Sequence, residues 1–175
     1  MARLKVLIAG GGIGGITAML ALRQHGIDVE LFEQTAAFRQ VGAGLQVSSN
    51  SARILLKLGL GEALKRVATY PEGRDYRGWD TGERLYYTPL GQKAEGHFGS
   101  PYYAAHRAEL LDVLLSGLGE HGYRLGSRVE RVDQDQSSVT LTLAGASGTF
   151  DATNASEAPE SEPVPAWFVA ATVQV

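Results

Sequence analysis

The 175-residue sequence contains no cysteine, which excludes disulfides and thiolate metal sites. It has no apolar run long enough to cross a bilayer, and its first residues lead into a predicted strand rather than a secretory leader. The formal net charge of −3 gives no broad basic surface of the kind that non-specific nucleic-acid binding requires. The four histidines show no spacing typical of a metal pair. We therefore expect a cytoplasmic protein with neither a membrane nor a nucleic acid as its partner.

Glycine, in contrast, is abundant, with 22 residues, many of them in patterned positions. Leu4–Ala9 is a short apolar run typical of a buried parallel strand, and the sequence GGGIGG follows it. The apolar spacing of 16–25 predicts a helix that Gly26 ends, and 28–32 predicts a second strand. This order of strand, glycine turn, helix and strand indicates a βαβ unit.

The glycine turn has the spacing of a dinucleotide-binding motif, Gly10-x-Gly12-x-x-Gly15. Gly10 allows the tight turn, Gly12 lets main chain approach a pyrophosphate, and Gly15 lets the helix lie close to the strand. Glu33 directly follows the second strand, where a carboxylate accepts hydrogen bonds from the ribose hydroxyls of adenosine. Taken alone, the motif predicts an adenine dinucleotide without separating FAD from NAD.

Further elements are predicted along the rest of the chain. Residues 35–50 form a loop with Gly42-Ala43-Gly44, and Ser49 or Asn50 caps the helix that follows. Aromatic residues around a turn at 80–83 predict a β-hairpin over about 74–90. The remaining predictions are helices at 51–58, 62–67 and 107–118 and strands at 123–125, 128–133 and 139–143. Beyond about Phe150 the composition is rich in Ala, Glu, Ser and Pro, which predicts a disordered tail over 151–175.

Three separated motifs carry a resemblance to a known family: GGGIGG with VELFEQ, then VGAGLQVSSN, then AAHRAELLDVL. Over about residues 1–145 the chain resembles the class A flavoprotein monooxygenases of the salicylate hydroxylase, 3-hydroxybenzoate 6-hydroxylase and 6-hydroxynicotinate 3-monooxygenase group. The resemblance implies an α/β fold. Residues 1–150 would form a Rossmann-type FAD-binding domain with part of an inserted β-sheet subdomain, to which the hairpin belongs.

The same resemblance implies the positions that contact FAD. They are Gly10, Gly12, Gly14 and Gly15 at the pyrophosphate, Glu33 at the ribose, Gly42, Gly44 and Gln46 beside the flavin ring, Arg107 at the phosphate and ribitol, and the Val129 backbone at adenine. Some relatives carry a histidine base at the position of Gln46, a role that glutamine cannot fill. His106 is interpreted as structural, and neither a catalytic residue nor a metal site is assigned.

The activity that the resemblance implies is hydroxylation of a small aromatic substrate. NAD(P)H reduces FAD, the reduced flavin reacts with O₂, and a flavin C4a-hydroperoxide hydroxylates the ring. Two alternatives stay open: an NAD-dependent Rossmann oxidoreductase, and a catalytically inactive FAD-binding remnant.

The C-terminal part of the sequence departs from the family pattern. The GADG-type segment and the later GD motif of family members are not present, and the Ala/Glu/Ser/Pro stretch stands there instead. We therefore expect a truncated or frame-shifted product in which residues 151–175 are unrelated to the family.

Overall fold

The computed structural model describes residues 4–38, 42–135, 138–144 and 149–153. Within these ranges the chain forms ten strands and five helices. In chain order they are β1 (Lys5–Ala9), α1 (Ile13–Gln24), β2 (Asp28–Phe32), β3 (Gly44–Val47), α2 (Ser49–Lys57), α3 (Gly61–Val67), β4 (Gly73–Arg77), β5 (Arg84–Pro89), α4 (Gly91–Phe98), β6 (Tyr103–His106), α5 (Arg107–Ser116), β7 (Tyr123–Arg124), β8 (Val129–Gln134), β9 (Ser138–Leu143) and β10 (Thr149–Thr153).

The chain divides into two compact units. The first combines Met1–Arg39 with Leu114–Val175, and the second is Gln40–Val113. The boundary within α5 means that this helix begins in the second unit and ends in the first.

The first unit contains the predicted βαβ unit. β1 and β2 are parallel, with Lys5 opposite Asp28 and Ala9 opposite Phe32, and β7 lies parallel to the other edge of β2. At the end of α1 the chain turns at Gly26, whose φ of 72° suits glycine. The predicted α/β fold is confirmed, although α1 begins at Ile13, three residues before the predicted start.

An ion triad ties together the three parallel strands. The Glu30 carboxylate of β2 accepts hydrogen bonds from Lys5 of β1, with Nζ and Oε2 2.8 Å apart, and from Arg124 of β7. Burial acts to raise the pKa of Glu30, but the hydrogen bonds from these two cations outweigh it and lower the pKa. The triad therefore links all three strands of the parallel sheet through one carboxylate.

A second sheet in the first unit is antiparallel and has the order β10-β9-β8. Leu141 and Leu143 of β9 form a buried cluster with Leu7 and Phe32 of the parallel sheet, and Val129 packs against it. The predicted end of regular structure near residue 150 was too early, because β10 pairs with β9 as far as Thr153. The rest of the predicted tail, 154–175, lies outside the described residues.

The second unit contains the predicted hairpin, in which β4 and β5 pair antiparallel. It also contains three elements that were not predicted: β3 and β6, which pair antiparallel inside and beyond the predicted loop, and the helix α4. The predicted cap of α2 was wrong by one residue or more, since Ser48 is the N-cap. Its extended backbone, with φ −62° and ψ 161°, is the usual conformation of the residue that precedes the first helical one.

Candidate cofactor site

The glycine turn connects β1 to α1 in the first unit. Gly10 has φ 108°, a conformation that disfavours any side chain, and its N–H donates to the Phe32 carbonyl at 2.7 Å. A Cβ atom on Gly15 would lie 2.0 Å from the carbonyl oxygen of Gly10, so only glycine permits this approach of helix to turn. The roles predicted for Gly10 and Gly15 thus have a direct steric basis.

The N-terminus of α1 is open toward an anion. Gly12 is its N-cap and provides no side-chain hydrogen bond, and the first turn contains no acidic residue. The Ile16 N–H bonds back to the Gly12 carbonyl at 3.0 Å, which begins the helical ladder. The first amides of a helix have no acceptor within the helix and stand at the positive end of its dipole, which is the arrangement that binds phosphate.

The carboxylate of Glu33 lies beside this turn. It is buried, with 8% of the residue exposed, and its Oε2 accepts the Gly11 N–H at 2.7 Å. Its Oε1 accepts both the N–H and the hydroxyl of Thr35 at 2.8 Å. The structure therefore brings together the predicted ribose-binding carboxylate and the predicted pyrophosphate turn, and holds the carboxylate in one orientation.

In the second unit, the predicted flavin-side residues gather on β3 and at the start of α5. A Cβ atom on Gly42 would lie 2.6 Å from Cδ of Arg107, so this glycine packs directly on the arginine side chain. The Arg107 N–H donates to the Ala43 carbonyl at 3.1 Å. Gly44 pairs with His106 across β3 and β6. A Cβ atom added to Gly44 would have nothing within 4 Å of it.

The structure also shows what Val129 and His106 contact. The side chain of Val129 packs against the buried cluster of the first unit, as expected for a residue whose backbone alone was assigned a role. His106 Nδ1 accepts the Ala108 N–H at 3.3 Å in the first turn of α5, which agrees with its structural interpretation.

A polar cluster around Arg74 was missed by the sequence analysis. Its Nη2 donates to Oε1 of Gln46 and to the hydroxyl of Tyr102, both at 2.6 Å, and its Nη1 donates to the hydroxyl of Tyr76 at 3.1 Å. We call these four residues the Arg74 cluster. Hydrogen bonding to Tyr76, followed by the charge interaction with Tyr102, raises the pKa of Arg74 above its ordinary value. Alternation along β4 places Arg74 and Tyr76 on one face, but nothing in the sequence shows that Gln46 and Tyr102 meet them.

With this geometry established, comparison with known proteins identifies the family. The model of the "FAD binding domain" family FAD_binding_3 matches residues 3–153. The chain belongs to this FAD binding domain family. The match confirms the predicted cofactor, FAD, over the NAD-dependent alternative.

Individual relatives agree with this assignment. Over 142 residues the chain is 38% identical to the 3-amino-4-hydroxybenzoate 2-monooxygenase PtmB3 of Streptomyces platensis, covering 81% of this chain and 36% of that protein. It is 36% identical over 143 residues to the 3-hydroxybenzoate 6-hydroxylase of Polaromonas naphthalenivorans (strain CJ2), covering 80% and 36%. These names confirm the predicted resemblance to the class A aromatic monooxygenases.

A solved structure supports the same fold. Klebsiella pneumoniae HpxO, in complex with FAD and uric acid, superposes with a TM-score of 0.75 at 27% identity, covering 86% of this chain and 37% of that chain. The FAD binding domain described here therefore spans only a little over one third of the length of the proteins that it matches.

The part of the FAD binding domain that the structure describes shows neither a metal-binding cluster nor a membrane-spanning helix. In the described residues, no group of three or more acidic or histidine side chains is arranged to hold a metal ion. None of the helices in that same part of the chain combines the length and apolar character that crossing a bilayer requires.

Proposed function

We propose that this chain binds FAD and supplies the FAD-binding part of a monooxygenase that hydroxylates a small aromatic substrate with NAD(P)H and O₂. The observation that carries the proposal is the contact of Glu33 with the glycine turn, inside a match to the FAD binding domain family. When bound, FAD would supply the activation of O₂. Because the electrons come from NAD(P)H, we propose the cytoplasm as its compartment.

The first unit would hold the adenosine and pyrophosphate. Gly10, Gly12, Gly14 and Gly15 would leave room for the pyrophosphate at the start of α1, whose amides donate to it. Glu33 would accept hydrogen bonds from the ribose hydroxyls, and the Val129 backbone would contact adenine. The turn fits the pyrophosphate of an adenine dinucleotide because its glycines keep the start of α1 close to the turn. A Cβ atom on Gly15 would collide with the Gly10 carbonyl oxygen and push the two apart.

The second unit would contact the rest of the cofactor. Gly42 and Gly44 carry no side chains, so the main chain between them is able to approach a flat ring. Gln46 would lie near the flavin, and Arg107 would donate to the phosphate and ribitol region, for which a permanently charged guanidinium is suited.

A Gly44→Ala substitution tests the flavin-side assignment without disturbing the fold. A Cβ at Gly44 meets nothing within 4 Å, so we expect an unfolding temperature within about 2 °C of the parent chain. If main chain at this position contacts the flavin ring, the added methyl should weaken FAD binding about tenfold or more. Quenching of FAD fluorescence on titration with protein measures the affinity.

Gly96→Ala in α4 is the matched control, since a Cβ there also meets nothing within 4 Å and no role is assigned to it. Equal FAD affinity for the Gly44 variant and this control would remove Gly44 from the proposed cofactor contacts.

Turnover separates an active enzyme from the remnant. The chain is loaded with FAD and given NADH or NADPH and 3-hydroxybenzoate, and O₂ uptake and hydroxylated product are measured. Hydroxylated product supports the proposed activity. FAD binding without substrate-stimulated O₂ uptake would favour the FAD-binding remnant instead.

A further inference from the structure

Arg74 is a half-buried cation whose contacts are all neutral. Its guanidinium donates to one amide oxygen and two phenol oxygens, as described above. Among the described residues it makes no ion pair. Placing a guanidinium in a half-buried position costs desolvation energy, and neutral acceptors offset that cost less well than a carboxylate does.

The nearest acid in the sequence is committed elsewhere. Asp75 belongs to the opposite face of β4, where its Oδ1 lies 2.7 Å from Nε of Arg84 and its Oδ2 lies 3.2 Å from Nη2 of Arg77. The two faces of the hairpin thus differ in kind. One carries arginines paired with a carboxylate, and the other carries an arginine without one.

The Arg74 cluster has donors to offer to an anion. The hydroxyls of Tyr76 and Tyr102 accept from the guanidinium, which leaves each O–H proton to be donated to another group. A guanidinium has five N–H donors in a planar fork, and these contacts use three of them. A carboxylate accepts hydrogen bonds through two oxygens in the same plane, so it matches this arrangement.

Aromatic surfaces flank the same group. The guanidinium carbon of Arg74 lies 5.8 Å from the ring centre of Tyr102, and the rings of Tyr76 and Tyr86 lie 5.6 Å apart. Tyr76 and Tyr86 are 43% and 61% exposed, so their faces are open to a ligand. A ring attached to the anion would contact these phenol faces, whereas a free inorganic anion would not use them.

We propose that the Arg74 cluster binds the carboxylate of an aromatic acid and so restricts the substrate of this protein to anionic rings. The inference rests on the proposed function for its link to catalysis, but the anion site itself does not require FAD. Arg74 is a specificity residue, and Gln46, Tyr76 and Tyr102 hold its guanidinium in place.

Binding of a matched pair of probes tests the proposal. 3-Hydroxybenzoate and 3-hydroxybenzamide have similar shapes, but only the first carries a carboxylate. Calorimetric titration of the full 175-residue chain should show the acid binding about tenfold or more tightly than the amide. Arg74→Gln should remove this preference and leave the amide affinity within about twofold. Arg74→Lys, which keeps the charge but loses the fork, should retain part of it.

Arg77→Gln is the control, because Arg77 lies on the same strand and is paired with Asp75. It should keep the preference for the acid. The circular dichroism spectrum of each variant shows whether it is folded. If Arg74→Gln does not fold, Arg74→Lys takes its place as the test variant. Equal binding of acid and amide by the parent chain, no binding of either, or an unchanged preference in folded Arg74 variants would overturn the proposal.

These results are distinguishable from a failure of the proposed function. A chain that binds FAD but does not prefer the acid disproves the anion site alone. A chain that prefers the acid through Arg74 but binds no FAD disproves the proposed function and leaves the anion site standing.

Discussion

The close approach of Gly15 to Gly10 yields the sharpest structural prediction. In a Gly15→Ala variant the new Cβ would lie 2.0 Å from the Gly10 carbonyl oxygen and 3.2 Å from its carbonyl carbon. To restore an ordinary contact, the two backbone segments must move about 1.4 Å further apart. Neither segment yields easily, since Gly10 is hydrogen-bonded to Phe32 and α1 buries Ile16 and Met19 completely.

Forcing extra volume into a well-packed region costs about 1–3 kcal/mol, and a clash between backbone atoms belongs at the upper end of that range. A loss of about 3 kcal/mol in the free energy of unfolding corresponds to a decrease of about 6–12 °C in Tm for a chain of this size. We expect FAD affinity to fall about tenfold or more in the same variant, because the turn that faces the pyrophosphate must open.

Thermal unfolding followed by circular dichroism, without and with FAD, measures both effects. The control is again Gly96→Ala, which lies inside α4 with open space around its Cβ position and should gain up to about 1 kcal/mol. The reasoning is refuted if Gly15→Ala unfolds within about 0.5 kcal/mol of the parent chain and retains its FAD affinity.

Two further predictions concern hydrogen bonds. Glu33→Gln leaves one acceptor oxygen where two are used, so an amide N–H of Gly11 or Thr35 would face an NH₂ group. We expect the free energy of unfolding, measured in urea, to fall by about 1–3 kcal/mol and FAD binding to weaken. Unchanged stability would contradict this. The hydrogen bond from Tyr70 to Glu95 raises the pKa of Tyr70 to about 12. Because the pKa of Tyr70 is higher in the folded state than its ordinary value of 10, this contact contributes its full stabilisation of the fold below pH 10. That contribution is lost as the pH rises through about 12. In a pH titration followed by absorbance at 295 nm, Tyr70 is identified as the phenol that is missing from Tyr70→Phe, and its midpoint should lie near pH 12. Glu95→Gln should lower that midpoint. A midpoint near 10 for Tyr70 in the parent chain would contradict the assignment.

The βαβ unit was predictable because its signals are local. The apolar runs of β1 and β2 and the glycines at either end of α1 specify strand, turn and helix within one short stretch of sequence. Glu33 was predictable for the same reason, since it directly follows β2. Only its hydrogen bond to Gly11 required the structure.

The second unit was less predictable because its signals are not local. β3 is four residues long and begins in a glycine-rich loop, and its partner β6 lies far along the chain, with Gly44 opposite His106. α4 contains glycines and few apolar residues, so no helical periodicity indicates it. The Arg74 cluster was missed on the same grounds, since its residues come from separate strands and a connecting segment.

The cofactor-binding claim is tested most directly by the visible spectrum of the purified chain after incubation with FAD and removal of unbound cofactor by gel filtration. We predict that a flavin absorption band elutes with the protein, is released as intact FAD on denaturation, and is reduced about tenfold or more in Glu33→Gln. The matched control is Glu30→Gln, which alters a neighbouring carboxylate of β2 that faces Lys5 and Arg124 and should retain the band. A colourless protein that also fails to take up added FAD would contradict the account.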